Sequence, residues 1–202
     1  MQIQSNSRQI PSIERYTADK KYNDLLYGIL QEMSYLEVCD NEKVRYVNKK
    51  DINYTHLGER MGTSRQTASS KFKNLISLGL IVFIKEQDRY KLNYLDKTTC
   101  SLVPFETLRI LNNTLSQNSI SLYVYLLKRY IANKEQEFTV TMSQMKKFIG
   151  IATTTTSNNE IINDILNVLK LLGLVDFNKI QIEKDKTQIQ IKKVNNVVKK
   201  SC

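Results

Sequence analysis

One pattern constrains the fold more than any other, because the chain carries it twice. Asn74-Leu75-Ile76-Ser77-Leu78-Gly79-Leu80-Ile81 and Leu169-Lys170-Leu171-Leu172-Gly173-Leu174-Val175 each run a helical apolar stripe into a glycine. Apolar residues then resume as the start of a strand. Glycine adopts the left-handed conformation that closes a helix at little cost. The two glycines stand 94 positions apart in a chain of 202 residues. That spacing predicts two units of similar architecture, each of roughly 100 residues.

The first unit is expected over 19–98, after a polar, flexible arm at 1–18. Apolar spacing over 19–37 places Leu25, Leu26, Ile29, Leu30, Met33 and Leu36 on the buried side of a helix. A short strand is expected at 44–47 and a short helix at 54–61, with Leu57 and Met61 inward. Gly62-Thr63 forms a turn and Ser64 caps a helix that ends at Leu78. Ala68, Phe72, Leu75 and Ile76 are its inward positions. Strands at 80–84 and 89–94 follow, joined by the polar run Lys85-Glu86-Gln87-Asp88. The second unit is expected over 102–192. Pro104 starts a helix to about 112, and 121–131 is a stronger one. A strand at 138–140 follows, then a helix capped by Thr141 and stopped at Gly150. Ser157 caps a last helix to Leu172, with strands at 175–180 and 187–191. Residues 193–202 form a basic tail. The class is α+β, mainly α with small β-hairpins.

Composition narrows the function. Hydrophobic residues at 41% and charged residues at 25% are those of a folded chain. No apolar run approaches the roughly 18 residues that span a bilayer. Met1-Gln2-Ile3-Gln4-Ser5-Asn6 lacks the basic-then-apolar order of a secretory leader. The expected location is the cytoplasm, with no membrane partner. Cys39, Cys100 and Cys202 are far apart and His56 is the single histidine. That excludes a Cys/His zinc cluster and a disulfide framework. No Gly-rich phosphate loop occurs, and the carboxylates lack a repeated metal-ligand spacing. Neither an enzyme nor a cofactor is expected. The net charge is +10, spread along the chain, which favours an anionic partner such as nucleic acid. The eleven tyrosines fit core edges better than a stacking platform.

The segment Gly62-Thr63-Ser64-Arg65-Gln66-Thr67-Ala68-Ser69-Ser70-Lys71-Phe72-Lys73-Asn74-Leu75 resembles the recognition helix of the winged helix-turn-helix families. The match extends over 54–83. In pattern the chain is closest to tandem winged-helix replication initiators of plasmids and phages of low-GC Gram-positive type. The resemblance implies that Ser64 and Thr67 lie near phosphate and that Arg65 and Gln66 face bases. Ser70 stands where many relatives carry a second base-reading arginine. Physical chemistry supports this assignment. An α-helix fits the major groove, where Arg pairs with guanine and Gln with adenine. Small Ser69 and Ser70 permit close approach. Lys71, Lys73, Lys85, Arg89 and Lys91 add phosphate attraction along helix and hairpin.

The second unit departs from the first. At the 94-residue offset, Asn159 replaces Arg65, Glu160 replaces Gln66 and Asp164 replaces Ser70. Lys146, Lys147, Thr155, Thr156, Ser157, Asn158 and Asn159 are its candidate DNA contacts. The apolar helix at 158–172 equally suits a protein contact, a homodimer included. The expected function is specific binding of double-stranded DNA, to initiate or organise replication of a plasmid, phage or other mobile element. The alternatives are a winged-helix transcription regulator at promoter DNA and a protein-interaction adaptor. Replication or transcription machinery would supply the protein partners.

Overall fold

The computed structural model describes residues 7–11, 24–39, 42–93, 100–155, 157–183 and 186–195. These form an α+β mixture of seven helices and three small antiparallel sheets. They divide into two compact units, one running to Gln117 and one from Asn118 onward. No helix among them is long and apolar enough to cross a membrane. The rest of the proposed arm, residues 196–202 of the tail, and Thr156 lie outside the described residues.

In the first unit, α1 (Asp24–Met33) precedes the hairpin β2 (Tyr35–Cys39) and β3 (Glu42–Asn48). Then come α2 (Tyr54–Arg60), α3 (Arg65–Ser77), β4 (Ile81–Ile84) and β5 (Arg89–Leu92). The sheet order is β2-β3-β5-β4. Leu26, Ile29, Leu57, Ala68, Phe72, Leu75 and Ile81 are fully buried and form the core. The edges of Tyr54 and Tyr90 meet the Phe72 ring at centroid distances of 5.6 and 5.0 Å.

Three sequence expectations change here. Ser7–Pro11, expected in a flexible arm, is strand β1 and pairs antiparallel with β6 (Cys100–Pro104). The first helix stops at Met33, and 35–39 is strand β2, paired with β3 from Tyr35–Tyr46 to Cys39–Glu42. Leu36, expected inward on a helix, is accordingly exposed. The helix expected after Pro104, α4 (Phe105–Thr114), belongs to the first unit. Leu108 and Leu111 are buried there, and Asn112 donates to the Glu32 carboxylate of α1 at 3.1 Å. Apolar spacing reports that a helix has a buried face, but not which core receives it.

The second unit holds α5 (Gln117–Ala132), β7 (Phe138–Thr141), α6 (Met142–Ile149), α7 (Asn158–Leu171), β8 (Val175–Glu183) and β9 (Lys186–Val194). Its sheet order is β7-β9-β8. Lys193 and Val194, assigned to a tail, are the end of β9. Thr141 and Gln144 form a reciprocal capping box on α6. Ser157 does not cap α7, because it is itself helical and its side chain makes no cap bond.

The repeat is therefore topological. The order helix, strand, helix, helix, hairpin recurs in both units, as α1, β3, α2, α3, β4–β5 and as α5, β7, α6, α7, β8–β9, and the second hairpin strand inserts between the other two, as β3-β5-β4 and β7-β9-β8; the first unit adds β1, β2, β6 and α4. The closing glycines have φ of +69° at Gly79 and +67° at Gly173. A matched hydrogen-bond clasp follows each. Asn93 donates its amide N–H to Leu80 and its Nδ2 to the Gly79 carbonyl. Asn195 does the same to Leu174 and Gly173. A buried tyrosine from the first helix of each unit completes the clasp. Tyr27 donates to the Asn93 carbonyl at 3.1 Å, and Tyr123 to that of Asn195 at 2.9 Å.

Burial pushes the Tyr27 hydroxyl up to about 12 and raises that of Tyr123 as well. An unfolded tyrosine ionises near pH 10. Both folded values lie above the unfolded one, so each clasp's contribution is complete below about pH 10 and declines above it, through about 12 for Tyr27. Spectrophotometric titration is expected to show late-ionising tyrosines, fewer in Tyr27→Phe and in Tyr123→Phe. Each substitution should cost about 1 kcal/mol of unfolding free energy in its unit. Unchanged titration in both variants would remove the clasp from the account of stability.

Candidate nucleic-acid interface

The pair α2–α3 is fixed by short-range chemistry. Asn53 caps α2, its Oδ1 accepting from the backbone N–H groups of Thr55 and His56. Ser64 caps α3, accepting from the Thr67 N–H at 3.2 Å, with its hydroxyl 3.0 Å from that of Thr67. Between them the Thr63 N–H bonds the Gly58 carbonyl at 2.8 Å. The turn packs so closely on α2 that a Cβ on Gly58 would stand 2.8 Å from the Thr63 carbonyl oxygen. Arg60 at the end of α2 reaches the Glu32 carboxylate of α1 at 2.6 Å, with both side chains largely buried. These contacts fix the start of α3 against α2, and the end of α2 against α1.

With Ala68, Phe72 and Leu75 buried, the outward face of α3 follows from about 100° per residue. Gln66, Ser70, Lys73 and Ser77 line its centre, and Asn74 borders it. All five are exposed. Arg65 is also exposed but stands on the flank, near the angular position of Ser69 and Ile76. Ile76, expected inward, is 40% exposed for the same reason. Thr67 lies on the opposite flank and Lys71 is half-buried. No carboxylate occurs from Arg65 to Ser77, against two basic lysines and one arginine. Asn74 and Ser77 are the outward residues that the motif did not single out.

The hairpin is less basic than its letters. Lys85 is exposed at the single 3-10 turn that joins β4 to β5. Asp88 closes that turn in the left-handed region and pairs with Lys49 at 3.0 Å. Arg89 is not available as a simple phosphate contact. Its Nη1 donates to Glu37 at 2.6 Å and to the Tyr35 hydroxyl at 3.2 Å, and its guanidinium lies over the Tyr46 ring at 3.7 Å. Those contacts, first the Glu37 bond and then that of Tyr35, raise its already high pKa. Lys91 lies opposite Tyr46 and Val82 in the sheet, partly exposed. His56 lies on the exposed side of α2, its Nδ1 3.8 Å from Glu59.

Comparison with protein families, curated proteins and solved structures finds no match to this chain.

In the second unit two of the seven expected contacts bond the loop before α7. Lys146 is buried, and its ammonium donates to the main-chain carbonyls of Thr155 at 2.9 Å and Thr153 at 3.4 Å. Asn158 donates to the Ala152 carbonyl at 2.8 Å. These bonds tie both side chains to the loop, with Lys146 buried and Asn158 half-exposed. Thr155 and Ser157 are exposed, Asn159 is half-exposed, and Lys147 is exposed on α6. The outward face of α7 carries Glu160, Asp164, Asn167 and Leu171 at the positions of Gln66, Ser70, Lys73 and Ser77. It is acidic at its start and apolar at its end, where α3 is neutral to basic throughout.

Proposed function

We propose that this chain is a sequence-specific double-stranded DNA-binding protein of tandem winged helix-turn-helix type that initiates or organises replication of a plasmid, phage or other mobile element. The observation that carries the reading is the outward face of α3. Exposed Gln66, Ser70 and Lys73, flanked by Arg65, run along one side of a helix without a carboxylate. They belong to a chain of net charge +10. Gln66 and Arg65 suit base edges in the major groove, and Lys73 suits a phosphate. The hydroxyls of Ser64 and Thr67 at the helix start suit a second phosphate. Lys85 and Lys91 extend the basic surface onto the hairpin. The order of helices and strands in each unit supports the winged-helix reading, and their duplication supports the initiator role.

Selection from a random duplex pool tests both. A recurring motif is expected, and a replicon carrying it should depend on this protein to replicate. Recovery of promoters, with altered transcript levels and no replication effect, would replace the initiator by a regulator. Gln66→Ala should lose about 1–3 kcal/mol on the selected site and much less on random duplex. Lys73→Ala should weaken both duplexes alike and lower the salt slope by about one. Binding that is sequence-blind in the intact protein would defeat the base-reading role.

A further inference from the structure

A cleft of about 460 Å³ lies between α5 and α6 in the second unit. That volume is in the range of small-ligand sites. Tyr125, Lys128, Arg129 and Ala132 reach it from one face of α5 at i, i+3, i+4 and i+7. Gln144, Lys147 and Phe148 reach it from α6 at i, i+3 and i+4. Three of these seven residues are cationic and none is a carboxylate. Concave walls of one sign concentrate a field that draws in the opposite charge.

The rest of the lining is Tyr125, Phe148 and Ala132 with one polar residue, Gln144. The rings of Tyr125 and Phe148 stack with centroids 4.3 Å apart and planes 28° apart. Arg129 is held beside them, its Nη1 donating to the Tyr125 hydroxyl at 2.9 Å and its guanidinium 5.2 Å from the Phe138 ring centroid. Small Ala132 leaves the mouth open. The adjacent Lys146 is directed to the Thr153 and Thr155 carbonyls, so of the two consecutive lysines only Lys147 lines the cleft. Three cations and an aromatic pair lining one cleft match a ligand with an anionic end and a flat apolar end.

We propose that this cleft binds a nucleotide, with its phosphate among Lys128, Arg129 and Lys147 and its base against Tyr125, whose ring is backed by Phe148. The same chemistry is offered by a free nucleoside phosphate and by an unpaired nucleotide of a single strand. The site uses no residue of α3 and stands independently of duplex reading.

Isothermal titration of the full-length protein with nucleoside triphosphates, a short oligothymidylate and inorganic phosphate tests the assignment. A nucleoside triphosphate or the single strand should bind at least tenfold more tightly than phosphate, and which one saturates identifies the source. Lys147→Glu should weaken that binding at least tenfold. Ala132→Trp should do the same by filling the mouth, at an exposed position where folding is retained. Ala132→Trp should not alter affinity for the duplex selected through α3. Nucleotide binding no tighter than phosphate, no saturation by either nucleotide form, or binding unchanged in both variants would overturn the proposal.

Discussion

Gly58→Ala is expected to destabilise the first unit by about 1–3 kcal/mol and to weaken duplex binding with it. The new methyl would stand 2.8 Å from the Thr63 carbonyl oxygen, 3.2 Å from the Ser64 carbonyl carbon and 3.3 Å from the Arg65 nitrogen. All three are backbone atoms, so no side chain turns aside to make room. Relief requires the turn to move away from α2. That movement strains the Thr63–Gly58 bond and shifts Ser64, whose hydroxyl sets the first turn of α3. The outward residues are carried by the helix that this turn starts, and a displacement of an ångström would misalign the proposed base contacts. Hydrogen exchange should show lost protection across α2 and α3 while α6 and α7 keep theirs. Unchanged protection together with unchanged duplex affinity would show that the close approach is not needed.

The parts of this arrangement that rest on local chemistry are legible in the letters. Ser64 with Thr67, Thr141 with Gln144, and the glycines at 79 and 173 each act within a few residues, and their patterns survive in the sequence. Relations across the chain do not. Arg89 and Lys146 count as positive charges in any composition. One is tied to Glu37, 52 residues earlier, and the other to backbone carbonyls that no letter encodes. Leu36 satisfies a helical spacing while its backbone pairs in a strand with β3. The centre of α3's outer face required the angular sum over the helix, which moves Arg65 to the flank although it is adjacent to Gln66. The tyrosine clasps left a readable trace that pair spacing alone hides. Tyr27 and Tyr123 are 96 residues apart, close to the glycine offset, but Asn93 and Asn195 are 102 apart. The longer strands β8 and β9 account for the difference.

The same residue-by-residue correspondence permits a reciprocal exchange between the two outer faces. Ser70→Asp puts into the middle of α3 the carboxylate that α7 carries at Asp164. Both positions are exposed, so each exchange should change stability by less than about 0.5 kcal/mol. Their effects on duplex binding should differ widely. A carboxylate pressed towards phosphates and base acceptors is penalised by several kcal/mol. Ser70→Asp is therefore expected to reduce affinity for the selected duplex at least about 100-fold, or about 3 kcal/mol. Asp164→Ser should leave it within about twofold, because Glu160 and the exposed Ile161, Val168 and Leu171 still make α7 a poor surface for DNA. Titrations of both variants against the same duplex decide the matter. A silent Ser70→Asp would remove α3 from the duplex interface whatever the selection had found. A marked gain in affinity in Asp164→Ser, from relief of the same repulsion, would move the interface to the second unit. The predicted asymmetry assigns the two units different work despite their shared topology, because packing dictates the buried faces of α3 and α7 alike and leaves their outward residues to specify what each one touches.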